Sequence, residues 1–148
     1  MKGLLVVVLS CWSCVTAEAN ERSRQLALQA FDAAYNLDHR EAIAFLDQAV
    51  QADPNDADAH RAVAVIAWLR IGFLRGSITV DDYLGSVSKP NINMLPPPAV
   101  EARRFHTHIA RALELAEAEL QRRPNDPDAH FRVGAIIGTQ ASYGATVE

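Results

Sequence analysis

Two copies of one short motif hold many of the side chains in this sequence that could do chemistry. Residues 54–60 read PNDADAH and residues 124–130 read PNDPDAH, so each copy places two aspartates and a histidine within five positions. Carboxylate and imidazole groups ligate metal ions and transfer protons. The second copy follows the first by 70 positions, and a recurring motif also indicates an internal structural repeat.

The histidines do not have the spacing of a helical metal site. None of the five histidines has another histidine three or four positions away, the spacing that places two imidazoles on one helix face. His106 and His108, two positions apart, project about 200° from each other on a helix. Ligation across helices by His60 and His130 is an alternative. We expect instead that both are first-turn residues that pack against the preceding turn.

The aspartates are predicted to be helix caps rather than calcium ligands. The motif copies lack the Asp-x-Asp-x-Asp-Gly rhythm of a calcium loop. Asp56 and Asp126 stand where the N-cap of a following helix is expected, because a carboxylate there accepts hydrogen bonds from free amides. Asp81 and Asp82 are an alternative acid–base pair, although adjacent carboxylates are usually solvated.

No other pattern in the sequence predicts an enzyme. The chain has no nucleophile elbow, no phosphate-binding glycine loop and no zinc signature. We therefore expect a non-enzymatic protein with no catalytic residue, no cofactor and no bound metal.

The composition indicates one helical domain with its own core. Of the 148 residues, 49% are hydrophobic and 22% are charged, and a chain of this length can bury a core. Alanine-rich runs and a low aromatic content favour helix over strand. Basic residues are scattered apart from Arg103–Arg104 and Arg122–Arg123, and the formal net charge is −4. Because nucleic-acid binding needs a concentrated basic face, we expect no nucleic-acid partner.

Residues 1–19 have the features of a secretory signal peptide. Lys2 supplies the positive start, residues 4–9 form an apolar run, and Ala17-Glu18-Ala19 is a small-x-small cleavage pattern. We expect cleavage after Ala19, with Ala17 as the alternative, and export to a periplasmic or secreted location. The apolar run is much shorter than the ~20 residues that span a bilayer, so no stable membrane span is expected.

Both cysteines lie within this leader, as Cys-Trp-Ser-Cys at residues 11–14. A thioredoxin-type redox pair needs a βαβ setting that the leader lacks, and Val15 stands where haem attachment requires a histidine. Lipoprotein anchoring at Cys11 or Cys14 is an alternative to a freely exported protein. The chain after the leader has no cysteine, so packing alone must hold its core.

The spacing of apolar residues predicts an all-α fold of about five helices in antiparallel pairs. The third helix is apolar on every side and is therefore expected at the centre of the domain. Asp38 with Glu41 three positions later predicts a capping box at the start of the second helix. The predicted helices cover residues 22–36, 39–52, 57–75, 99–122 and 127–145.

An irregular loop at residues 77–98 separates the third and fourth predicted helices. Gly, Ser, Asn and Pro residues exclude long regular structure there, and loops of this length are often functional. We name a candidate partner-binding set in and just after the loop: Asp81, Asp82, Tyr83, Arg103 and Arg104.

The fifth predicted helix carries small residues at helical spacing. A glycine within a helix costs about 1 kcal/mol relative to alanine. We therefore expect that a neighbouring helix approaches this stripe closely, which would offset the cost. No helix-stop residue precedes Glu148, and this predicts that the chain is the start of a longer protein. The stripe consists of Gly134, Gly138, Ala141 and Ala145.

The residues around the two motif copies resemble the tetratricopeptide repeat, a helix-turn-helix unit of about 34 residues with a proline near its end. The chain departs from that pattern where Ala116 replaces a large residue and Glu119 a small one, and where the 77–98 loop splits one unit. The resemblance covers residues 22–76 and 99–145. The matching positions are Ala42, Leu46 and Ala49 before Pro54, Val63–Ala64 after it, Ala112 before Pro124, and Val133–Gly134 after it.

The resemblance implies a scaffold that binds a protein or peptide partner on the concave face of stacked helix pairs. This repeat has no catalytic residues to carry over. The alternative is a small-ligand-binding or enzymatic helical domain whose pocket is closed by the 77–98 loop.

Overall fold

The structure, a computed structural model, describes residues 21–76 and 96–148. Every regular element within these two ranges is an α-helix, which confirms the predicted all-α fold of about five helices. The predicted leader, with Cys11 and Cys14, lies outside the described residues. The helices are α1 (21–35), α2 (His39–Ala52), α3 (Ala57–Leu74), α4 (Ala99–Arg122) and α5 (Pro127–Val147).

The aspartates of the repeated motif are helix caps, as predicted. The Asp56 carboxylate accepts hydrogen bonds from the amides of Asp58 and Ala59 at 2.9 and 3.1 Å. Asp126 accepts from the amide of Asp128 at 2.9 Å. Each carboxylate satisfies amides that the first helical turn leaves unpaired, so the two motif copies set the starts of α3 and α5.

Single residues set the start of α2 and the end of α3. Asp38 accepts from the amide of Glu41 at 3.3 Å. Its own amide donates to the carbonyl of Ala33 at 2.9 Å, so the reciprocal half of the predicted capping box is missing. Gly76 follows α3 with a φ of 64°, a left-handed conformation that glycine adopts without steric cost.

Helix α3 is the centre of the fold, because different helices cover its opposite sides. It contacts α2, α4 and α5, and its most extensive contact is with α4. One side packs with α1 and α2, around Ala30, Leu46 and Val63. The other side packs with α4 and α5, around Ile71 and Ile109. The all-round apolar character of α3 in sequence therefore reflects burial on both sides.

An aromatic stack anchors α5 to α4. The rings of Phe105 and Tyr143 lie 3.7 Å apart at an interplanar angle of 12°, and both residues are almost fully buried. At the far end of α5, the indole of Trp68 donates to the Thr146 hydroxyl at 2.9 Å. The guanidinium of Arg75 donates to the Val147 carbonyl at 3.2 Å. Helix α5 is thus tied to both α4 and α3.

The expectation of a close helix against the small residues of α5 is wrong for the part of the chain that the structure describes. A Cβ added at Gly134 or at Gly138 would meet no atom within 4 Å. Helix α5 buries its opposite side instead, with Ile136 and Tyr143 in the core. None of the described helices combines the length and apolarity needed to cross a bilayer.

Candidate binding groove and histidine pair

An open groove of about 1080 Å³ lies between α1 and the C-terminal half of α4, with the first turn of α3 at its base. Seven of its lining residues are apolar, and five of these are alanines: Ala27, Phe31, Ala57, Ala59, Ala62, Leu115 and Ala118. The charged and polar lining residues are Glu21, Arg24, Asp53, Asn55, Asp56, Asp58, Arg61, Glu119, Arg122 and Arg132.

Helical periodicity produces both walls of the groove. On α1, positions 21, 24, 27 and 31 line the groove, and on α4, positions 115, 118, 119 and 122 do so. Residues three and four apart lie on one helix face, so each helix turns one stripe to the core and a second stripe to the groove. The Ser23 hydroxyl donates to the Asp56 carboxylate at 2.7 Å, and this bond fixes α1 beside the start of α3.

Most of the charges that line the groove are paired with each other. Arg132 of α5 contacts both Asp58 of α3, at 3.1 Å, and Glu119 of α4. Arg24 pairs with Glu21 at 2.7 Å. Arg122 is exposed and has no ion pair among residues 21–76 and 96–148. Five acidic and four basic residues thus line the groove, and Asp53, Asp56 and Arg122 have no ion pair among the described residues.

Arg103 and Arg104, the two predicted partner-binding residues that the structure describes, do not line this groove. Asp81, Asp82 and Tyr83 fall outside the described residues, together with most of the 77–98 loop. Arg104 donates to Asp47 of α2 at 2.8 Å, so that charge joins two helices. Arg103 is exposed on α4 and is not part of the groove lining.

The structure brings together two histidines that the sequence does not link. The Nδ1 atoms of His60 on α3 and His108 on α4 are 3.0 Å apart, and their ring centroids are 5.0 Å apart. The Nε2 atom of His60 lies 3.2 Å from the Pro54 carbonyl. Since a carbonyl only accepts, Nε2 of His60 carries a hydrogen, and in the neutral pair Nδ1 of His60 accepts from Nδ1–H of His108.

Burial disfavours the charged form of both rings. It is the main cause of the lowered pKa of His60, which the hydrogen bond to Pro54 partly opposes. The pKa of His108 is lowered to about 4, mainly by burial and further by the nearby His60 and Arg104, while Asp47 acts in the opposite direction. Both imidazoles are therefore neutral at physiological pH.

The second motif copy makes the same local contact without the partner histidine. The Nε2 atom of His130 lies 2.8 Å from the Pro124 carbonyl, as that of His60 does from Pro54. This confirms that both histidines pack on the preceding turn. No cluster of three or more His, Cys, Asp or Glu side chains that could hold a metal ion occurs in the described part of the chain.

Comparisons with protein families, with curated proteins and with solved structures give no match to this chain.

Proposed function

We propose that this protein is an exported, non-catalytic helical scaffold of the tetratricopeptide-repeat type, which binds a peptide segment of a partner protein. The observation that carries the proposal is the open groove between α1 and α4, with small apolar residues at its base. The internal repeat of the Pro-Asn-Asp motif supports the repeat type, because both copies end one helix and cap the next. The leader sequence supports export.

The groove lining favours a slender ligand that carries both apolar and polar groups, as a peptide does. Alanines at the base allow close approach of a backbone, and Phe31 and Leu115 offer larger apolar contacts on the two walls. Five acidic and four basic residues line the groove, so a ligand with a large net charge of either sign would gain little there. The volume of about 1080 Å³ lies at the upper limit of small-molecule pockets, and the groove is open, which suits a peptide better.

The roles of the acidic groups support a non-catalytic function. Asp56 is occupied as a cap and as the acceptor of the Ser23 hydroxyl. Asp58 and Glu119 share the guanidinium of Arg132. A general acid or base needs a carboxyl group within reach of a substrate, and these groups are engaged in structural bonds.

Matched alanine-to-tryptophan substitutions on α4 test the proposal. Ala118 and Ala110 are both exposed on α4, but only Ala118 lines the groove. Peptides are selected on the purified protein from a displayed library, and their affinities are measured by fluorescence anisotropy. We expect Ala118→Trp to weaken binding about tenfold or more, roughly 1.4 kcal/mol, and Ala110→Trp to leave it unchanged.

Two results would contradict the groove as the binding site. One is a selection that yields no binding peptide with the folded protein. The other is a set of selected peptides whose affinities the two substitutions change equally. Circular dichroism of both variants establishes that each keeps the wild-type helix content, which separates loss of binding from loss of fold.

A further inference from the structure

One stripe of α4 holds the helix to α2, to the first turn of α3 and to the turn that precedes α3. Arg104, His108 and Arg111 are spaced by four and three positions, which places them on a single helix face. Arg104 bonds to Asp47 at 2.8 Å, His108 contacts His60 at 3.0 Å, and Arg111 bonds to Asn55 at 3.0 Å. The histidine contact is the middle one of the three and the most deeply placed.

The histidine contact accommodates one added proton but not two. A first proton on His60 gives its Nδ1 a hydrogen, and His108 then accepts that bond if its own hydrogen moves to Nε2. A second proton leaves Nδ1–H groups on both rings at a separation of 3.0 Å. Two donors that face each other with like charges repel, and neither can bond to the other.

The carboxylates around the pair offset an added positive charge only in part: Asp47, Asp53 and Asp56 raise the two pKa values, yet both remain lowered overall. From α2, Asp47 faces the pair but already neutralises Arg104. In the turn, Asp53 accepts from the amide of Asn55, and Asp56 caps α3. From α4, Arg104 and Arg111 both add positive charge, although Arg111 also pairs with Glu114 at 2.9 Å.

We propose that the His60–His108 pair is an acid-released latch, which holds α4 against the first turn of α3 at neutral pH and opens when both rings are protonated. The stripe that carries the latch continues into the groove wall at Leu115 and Ala118. Release of the latch therefore loosens that wall, whether or not the groove holds a ligand. This separates the latch from the proposed binding function.

The direction of the pH effect follows from the two protonation states. The pKa of His108 is about 4 in the folded protein, against about 6.5 for an unperturbed histidine. Between these values the unfolded chain binds more protons than the folded chain does. Stability from the latch is therefore complete above about pH 6.5 and is lost as the pH falls toward about 4.

Glutamine at position 108 provides a latch that cannot be protonated. Its side-chain amide offers both a donor and an acceptor, so it can bond to neutral or protonated His60. We expect the melting temperature of the wild-type full chain to fall about 5 °C more than that of His108→Gln between ~pH 7.5 and ~pH 4.5. His130→Gln is the matched control, because His130 contacts a proline carbonyl but no second histidine, and this variant should follow the wild type.

Nuclear magnetic resonance titration of the wild-type protein provides a readout that needs no variant. We expect the ring resonances of His60 and His108 to titrate below ~pH 6.5, each responding to the other. Titration of both rings at or above that value overturns the proposal. So does a fall in the melting temperature of His108→Gln that parallels that of the wild type.

Discussion

Substitution of Phe105 by alanine tests the packing that places α5 in the fold. Phe105 is 0% exposed, and its ring stacks on that of Tyr143 at a centroid distance of 3.7 Å. Replacement of a buried phenylalanine by alanine costs about 3–5 kcal/mol, because apolar contact is lost and a cavity remains. Loss of the stack, worth about 0.5–1.5 kcal/mol beyond area burial, places the expected cost in the upper half of that range, about 4 kcal/mol.

Urea denaturation followed by far-ultraviolet circular dichroism measures this cost. Single domains have unfolding free energies of about 5–15 kcal/mol, so Phe105→Ala should bring the protein close to the limit of stability. Phe131→Ala is the control, because Phe131 lies on α5 with 77% of its surface exposed, and an exposed substitution should cost less than about 0.5 kcal/mol. A cost below about 1.5 kcal/mol for Phe105→Ala, or equal costs for both variants, would refute the described packing of α4 and α5.

Two further predictions concern the caps and the leader. Asp56→Ala should lower the unfolding free energy by about 1 kcal/mol or more, because it removes an N-cap and the acceptor of the Ser23 hydroxyl. Asp128→Ala, at an exposed position that is not a cap, is the control and should lower the unfolding free energy less in the same urea titration. We expect that mass spectrometry of the protein isolated from outside the cytoplasm finds Asn20 as the first residue; a retained leader, or a diacylglycerol-modified Cys11 or Cys14, would contradict simple cleavage.

The sequence allowed prediction of the features that depend on neighbouring residues. Helix periodicity placed the ends of the helices within about two residues of those observed. The roles of Asp56 and Asp126 as caps, and of His60 and His130 as first-turn residues, also followed from local patterns. Each of these contacts joins groups no more than six positions apart.

The features that the sequence did not predict depend on the register between helices. His60 and His108 are 48 positions apart, and their contact requires one particular alignment of α3 with α4. The small residues at Gly134 and Gly138 permit a close helix neighbour, but they do not determine whether one is present. The groove arises from the distance between α1 and α4, which no single helix pattern encodes. Short-range sequence patterns therefore predicted the helices, whereas the groove and the histidine pair depend on how the helices pack together.

Because α3 packs against α1 and α2 on one side and against α4 and α5 on the other, its two sides can become covered at different stages of folding. Helix α2 follows α1 and precedes α3 across short turns, whereas 24 residues separate the end of α3 at Leu74 from the start of α4 at Ala99. Closing a connection of that length costs about 1.5 kcal/mol more in chain entropy than closing the four-residue turn at 53–56. The chain can therefore complete the α1–α2 side of α3 first, while the side around Ile71 waits for α4. Until α4 arrives, that apolar side is open to other molecules, which makes it the surface most prone to aggregation during folding.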